Sequence, residues 1–285
     1  MKKTIMDFNQ MAADNQKIVF ITAHDYLTAK YQEGAGVDMI LVGDSLGMIA
    51  LGYDTTFPVT MEDMIRHSAA VRRGAPNTFV IGDMPYMSYQ PSDEMAVKNA
   101  GRFVAEAGMD CIKLEGAGPA ICSRIRAINE AGVLVMAHIG LTPQFAGQLG
   151  GYKAQGRSGE AAIKLVEQAK LVEEAGACSI LVEGVPAIVG REITKRANVP
   201  VLGIGAGSFT HGQVLISADL VGLFNEFRPK FVKRYGEVGK HMHEAFSAYA
   251  KEVREGSFPV DEEHAYKISA EEAAKFEELL KERGI

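Results

Sequence analysis

Residues 35–44 read Ala-Gly-Val-Asp-Met-Ile-Leu-Val-Gly-Asp, and the same design returns at Ala107–Glu115, Ala131–His138 and Ala175–Glu183. Each time an Ala-Gly pair ends a helix-like stretch and an apolar run follows: Val37 to Val42, Met109 to Leu114, Val133 to Ala137, and Ala177 to Val182. A glycine just past a helix stops it by turning left-handed, and the short apolar run is a strand buried on both faces. The repeating unit is therefore helix, glycine stop, buried strand, loop, helix, which builds parallel strands joined by crossover helices.

Ile18 to Ala23, Thr78 to Ile81 and Val199 to Ile204 fit the same scheme. Thr60 with Asp63, and Ser92 ahead of a periodic run, read as helix N-caps. An eighth strand is expected between Gln213 and Leu223. Eight such units close into a (β/α)8 barrel, with an open doubly wound sheet as the alternative. The dinucleotide-binding version of that sheet fails, because Gly203-Ile-Gly205-Ala-Gly207 lacks the third glycine of the fingerprint and comes late in the chain. Beyond the barrel, Met242, Ala245, Phe246, Tyr249 and Val253 recur at helical spacing. Ser269 and Glu272 resemble a capping box ahead of Phe276, Leu279 and Leu280. The expected organisation is one barrel domain over 1–285, with a helical extension over about 237–285 that packs on the barrel or on another subunit.

The 285 residues suit one closed α/β barrel, which typically needs about 250. A 47% hydrophobic and 23% charged chain is globular, and a net charge of −6 provides no basic surface for nucleic acid. Cys111, Cys122 and Cys178 show no C-x-x-C spacing, which argues against a disulfide framework or structural zinc. No secretory leader and no run of about 18 apolar residues is seen, so the expectation is a cytoplasmic protein without a membrane span.

In a barrel the strand C-termini face one mouth. Asp44, Asp83, Glu115, His138 and Glu183 follow five successive apolar runs, with Gly43, Gly82, Gly116 and Gly184 beside the carboxylates. Any one of them could merely cap a loop. Four carboxylates around one opening instead repel one another unless a cation neutralises them. An all-oxygen set suits a hard divalent ion, above all Mg²⁺, which keeps several waters and takes one or two carboxylates. Zinc is disfavoured, since His241 and His243 point to different sides of a helix. Such an ion acts as an electrophile that can chelate a 2-oxo acid and acidify the C–H beside its carbonyl, for a separate carboxylate to deprotonate.

Several runs in order resemble the ketopantoate hydroxymethyltransferase family (3-methyl-2-oxobutanoate hydroxymethyltransferases). They are Leu41-Val-Gly-Asp-Ser-Leu-Gly-Met48, Val71-Arg-Arg-Gly-Ala-Pro76, Lys113-Leu-Glu-Gly116, His138-Ile-Gly-Leu-Thr-Pro-Gln144, Gly150-Gly-Tyr-Lys-Ala-Gln-Gly156, Gly203-Ile-Gly-Ala-Gly207 and Pro229-Lys-Phe-Val-Lys233. The resemblance implies a barrel of the phosphoenolpyruvate mutase and isocitrate lyase type. It implies transfer of a one-carbon unit from 5,10-methylenetetrahydrofolate to 3-methyl-2-oxobutanoate, giving 2-dehydropantoate for pantothenate synthesis. By position, Asp44 and Asp83 would hold Mg²⁺ with Glu115 close to it through water. Ser45 and Lys113 would bind the 2-oxo acid, Glu183 would be the general base, and His138 would give a supporting polar contact. A homo-oligomer, commonly a decamer, is also implied.

The chain departs from the family pattern in two places. Thr22-Ala-His24-Asp25 stands where Thr-Ala-Tyr-Asp is common, and 210–219 lacks the expected Asp-Gly and His-Asp forms. The tail after His264 also runs past the usual family ending. The loop Gly150 to Ser158 lacks the ending of a nucleotide-binding P-loop and reads as a lid over the mouth or an ordinary surface loop. The rival readings are a C–C lyase of the same barrel group, which would carry a reactive cysteine in a mouth loop, and an inert barrel, which would have lost part of its acidic set. Cys111 and Cys178 begin strands, far from the mouth, and the acidic set is complete.

Overall fold

The computed structural model describes residues 2–285. Eight strands form a closed parallel barrel in chain order: β1 Ile18–Thr22, β2 Met39–Val42, β3 Phe79–Asp83, β4 Cys111–Glu115, β5 Val135–Gly140, β6 Ser179–Glu183, β7 Val201–Ile204 and β8 Gly212–Leu215. Ile18 pairs with Gly212 and Ile21 with Leu215, which shuts the ring. The open-sheet alternative is excluded by that closure.

All four expected glycine stops, Gly36, Gly108, Gly132 and Gly176, have positive φ. Their strands nonetheless start two residues later than the apolar runs do. The residue after each glycine donates its N–H back into the helix: Val37 to Gln32, Met109 to Phe103, Val133 to Ile128 and Ala177 to Val172. The head of each run thus completes the helix cap and only its remainder enters the sheet. Thr60 and Asp63 form the reciprocal capping box of helix Met61–Gly74, and Ser92 caps Asp93–Ala107. Ser269 accepts from the N–H of Glu272, so the last helix, Ala270–Glu282, has that half of the capping box.

The period-two alternation of the strands splits the core into two layers. Ile40, Val42, Val80, Ile112, Leu114, Ala137, Ile139, Ile180 and Val182 face the surrounding helices. Phe20, Met39, Leu41, Phe79, Ile81, Cys111, Met136, Leu181 and Leu202 fill the barrel. Phe8, from the N-terminal helix Ile5–Ala13, joins this inner layer edge-on against Phe79 at 5.3 Å and plugs the bottom.

The eighth strand lies at the very start of its expected window. No helix precedes it: Gly205–His211 is a loop, and the helix that follows, Ser217–Leu220, is one turn long. The neighbouring strands β1 and β8 keep Val19 and Gln213 exposed, and Gln213 breaks the apolar run of β8.

The chain divides into two compact units, one ending at Gly236 and the other covering Glu237–Ile285. The second consists of helices Val238–Glu255, Asp261–His264 and Ala270–Glu282, none of which has a buried residue. No helix among the described residues is long and apolar enough to cross a membrane.

Candidate active site at the barrel mouth

The inward-pointing phase that fills the barrel with Phe79, Ile81, Cys111, Met136 and Leu181 continues upward as Asp83, Lys113, Glu115, His138 and Glu183. Strand register sets them side by side, with Asp83 opposite Lys113 and Glu115 opposite His138. Asp44 arrives one residue beyond Gly43, and its backbone N–H donates to Asp83 Oδ2 at 3.0 Å. The sequence places His138 after its apolar run; the structure continues β5 to Gly140, so His138 lies inside the strand, 2% exposed. Gly140 is required there. It has φ +95°, and a Cβ would stand 2.3 Å from the carbonyl oxygen of Glu183.

Lys113 is the cation at the centre. Its Nζ is 2.8 Å from Asp83 Oδ1 and 3.3 Å from Glu115 Oε1, all buried. The Asp83 contact is the closer of the two, so the Lys113 ammonium is the partner of Asp83 Oδ1. Burial opposes the charge on Lys113, but Asp83, Glu115 and Asp44 outweigh it and keep the amine protonated. Burial would also raise Glu115, but Lys113 and His138 hold that carboxyl at about 2. Burial, then the neighbouring Asp83, raises Asp44 well above the usual carboxylate range. Burial raises Asp83 too, against the pull of Lys113.

Four carboxylates face one lysine and one imidazole. With every group ionised the mouth carries a twofold negative excess, which a divalent cation balances and which otherwise leaves protons on the aspartates. Among the described residues no three His, Cys, Asp or Glu side chains form a ready metal cage. The arrangement matches an ion that takes one or two carboxylates and keeps its waters. The surplus of buried carboxylates, with Asp44 pushed well above its usual range by burial and Asp83, fits Mg²⁺ on this count.

Glu183 differs from the other three. It keeps 17% of its side chain exposed, against 1% for Asp83 and Glu115, so it is the carboxylate nearest to an arriving molecule. Ser45 begins the short turn Leu46–Ile49 beside Asp44, and its Oγ lies 3.4 Å from Nε2 of His24, which is buried at the end of β1. The Gly150–Ser158 loop is tied to the site by Gln155, whose N–H donates to the carbonyl of Gly184 at 2.8 Å. The pKa of the Tyr152 hydroxyl on this loop is raised by partial burial and then by Asp44, Glu115 and Glu183. A cavity of about 610 Å³ lies between the Pro119–Glu130 and Gly159–Glu174 helices. Gln90, Gly116 and Thr142 are in its wall, but none of the four carboxylates is.

Two residues escaped the sequence reading. Gln144 is 3% exposed; its Nε2 donates to Asp44 Oδ2 and its backbone N–H to Glu115 Oε2, each at 2.9 Å. Tyr89, fully buried, donates to Gln144 Oε1 at 2.7 Å and accepts from the Glu115 N–H at 3.0 Å. The only signal for Gln144 was its place at the end of the His138–Gln144 run; nothing pointed to Tyr89.

The barrel superposes on phosphonopyruvate hydrolase in complex with oxalate and Mg²⁺ with a TM-score of 0.61 at 15% identity, covering 99% of this chain and 98% of the other. It superposes on 2,3-dimethylmalate lyase, a phosphoenolpyruvate mutase/isocitrate lyase superfamily member, with a TM-score of 0.61 at 18% identity, covering 93% and 92%. These likenesses fix the fold. Sequence comparison is more specific. The chain is 54% identical over 281 residues to the 3-methyl-2-oxobutanoate hydroxymethyltransferase of Alkaliphilus metalliredigens, covering 99% of this chain and 98% of that one. It is 51% identical over 266 residues to the enzyme of the same name from Thermus thermophilus, covering 93% and 100%. The Alkaliphilus alignment takes in nearly the whole chain, so the tail after His264 has a counterpart there. A ketopantoate hydroxymethyltransferase family model matches residues 2–261, and the chain belongs to that family of enzymes.

Proposed function

We propose that the protein transfers a hydroxymethyl group to 3-methyl-2-oxobutanoate from 5,10-methylenetetrahydrofolate, yielding 2-dehydropantoate and tetrahydrofolate in pantothenate biosynthesis. The observation that carries this reading is the convergence of Asp44, Asp83, Glu115 and Glu183 around Lys113 and His138, in a chain about half identical to enzymes of that name. Asp44 and Asp83, with Glu115 beside them, would hold Mg²⁺, which when bound supplies positive charge at the keto oxygen of the substrate.

The remaining work falls to side chains. Ser45 and the Lys113 ammonium bind and orient the oxo acid. Glu183, the carboxylate left open to the mouth, takes the C3 proton, for which an accessible oxygen at hydrogen-bond reach is the first requirement. His138 stands behind Glu183 and fixes its direction. The carbon nucleophile so formed bonds to the one-carbon unit delivered by the folate; both of that carbon's bonds to folate nitrogen break, and water supplies the hydroxyl oxygen of the product while protons return to nitrogen to give tetrahydrofolate. The Gly150–Ser158 loop, anchored at Gly184, serves as the lid.

The exposed Met242, Phe246, Tyr249 and Val253 on helix Val238–Glu255 support a homo-oligomer, with a decamer the state the family resemblance suggests. Free Cys111, Cys122 and Cys178 support a cytoplasmic location. The reading is tested by mixing protein, oxo acid, methylenetetrahydrofolate and Mg²⁺. Formation of 2-dehydropantoate, abolished by chelation, is the expected result; cleavage of another 2-oxo acid under the same conditions would favour the lyase.

A further inference from the structure

Gln144 contacts two of the three carboxylates proposed for the metal, Asp44 and Glu115, and its amide can face only one way. Its Oε1 accepts from the Tyr89 hydroxyl at 2.7 Å and from Gln90 Nε2 at 2.9 Å; its Nε2 donates to Asp44 Oδ2 and to the Met84 carbonyl, both at 2.9 Å. A flipped amide would set its NH₂ against the Gln90 NH₂ and its oxygen against two acceptors. The backbone N–H of the same residue holds Glu115 Oε2. Position 144 lies in the Pro143–Phe145 turn, a hundred residues from Asp44, so this contact reports how the β5 loop is set over β2 and not local chain geometry.

The consequence is a selection among carboxylate oxygens. Asp44 Oδ2 is taken by Gln144 and Asp83 Oδ2 by the Asp44 N–H. Asp44 Oδ2 is thereby fixed on Gln144, which sets the direction of its Oδ1, while Asp83 Oδ1 faces the Lys113 ammonium at 2.8 Å. A carboxylate oxygen fixed in direction suits an ion that takes one or two protein carboxylates and keeps its waters. We propose that Gln144, locked by Tyr89 and Gln90, is the positioning residue of the metal site, and that it sets divalent-cation affinity by orienting Asp44 and Glu115. This rests on the reading of Asp44 as a metal ligand.

The test is calorimetric titration of the full-length protein with Mg²⁺ alone, and with Mn²⁺ followed by electron paramagnetic resonance. Losing a group that orients a metal ligand typically costs about 10–100-fold in metal affinity. Gln144→Met should show a loss of that size, and Tyr89→Phe a smaller loss in the same direction, with thermal unfolding close to wild type. Because the defect is in affinity, turnover by Gln144→Met should return to near the wild-type value at saturating Mg²⁺. Asp44→Asn separates the two ideas. If it binds metal like the wild type, the ligand reading itself fails. If it loses metal while Gln144→Met and Tyr89→Phe keep wild-type affinity, the ligand reading stands and the positioning role falls. A Gln144→Met turnover still depressed at saturating Mg²⁺ would also overturn the role, since Gln144 would then act on the reaction and not on the ion. Should Gln144→Met fail to fold, Tyr89→Phe carries the same comparison.

Discussion

The Nε2 atom of His138 lies 3.2 Å from Glu183 Oε2, and the opposite ring nitrogen lies 3.4 Å from Glu115 Oε1. The ring is suspended between two carboxylates on neighbouring strands. Burial and the Lys113 charge push the imidazole toward neutrality, but Glu115 and Glu183 outweigh them and raise its pKa above the usual value. A histidine that holds its proton this firmly suits steering an adjacent base better than taking a proton from substrate. His138→Asn should therefore bind the oxo acid and keep measurable turnover, lowered by about 10–100-fold. Complete loss of turnover with normal oxo-acid binding would make the ring part of the proton-transfer machinery.

Asp44 stands in the loop beyond β2, buried but outside both apolar core layers, so shortening it removes a charge that Asp83 and Glu115 oppose and leaves the apolar packing in place. Asp44→Ala should fold normally and lose the Mg²⁺-dependent part of oxo-acid binding. Calorimetry with and without Mg²⁺ reads this directly. A wild-type difference between the two titrations in the variant would contradict the metal assignment.

β2, β4, β5 and β6 are legible because each preceding helix must stop, and the glycine that stops it marks the next strand; β1, β3 and β7 lack that stop and are read from their apolar runs alone. That logic failed at β8, where no helix precedes the strand and Gly212–Leu215 shows only partial burial. The acidic set was legible for a related reason: a charge at the end of an apolar run is conspicuous. Lys113 was not, since it sits within such a run and its role came from the family resemblance alone. Gln144 and Tyr89 are ordinary polar residues in loops, and their importance arises from contacts 26 to 100 positions away.

His24, the departure at the end of β1, has a measurable signature. Burial, followed by the nearby His67, lowers its pKa from 6.5 to about 4. The unfolded chain takes up this proton near pH 6.5 and the native protein only near 4, so the unfolded state binds more protons between those values. The resulting stability is fully present above pH 6.5 and is lost as the pH falls toward 4, by about 3 kcal/mol over the whole window. His24→Gln has no such group. Urea unfolding at pH 7 and pH 4.5 should show the wild type losing more stability than the variant. Parallel losses would mean the imidazole is not held neutral in the fold.

Glu183 ends β6, across the barrel from β2, and is the one carboxylate of the set that needs neither the metal nor Lys113 to account for its place. Glu183→Gln preserves its shape and removes the basic oxygen, so Mg²⁺ and oxo acid should still bind. Loss of a positioned general base typically costs about 10²–10⁴ in rate. Enolisation needs no one-carbon donor, so the wild type given Mg²⁺ and 3-methyl-2-oxobutanoate in D₂O without folate should slowly exchange the C3 proton for deuterium. The variant should not exchange it above the background of the buffer. The decay of the C3 proton signal by NMR separates the possibilities. Binding lost together with exchange would give Glu183 a share in holding the substrate, whereas exchange at the wild-type rate would move the role of base to another residue at the mouth.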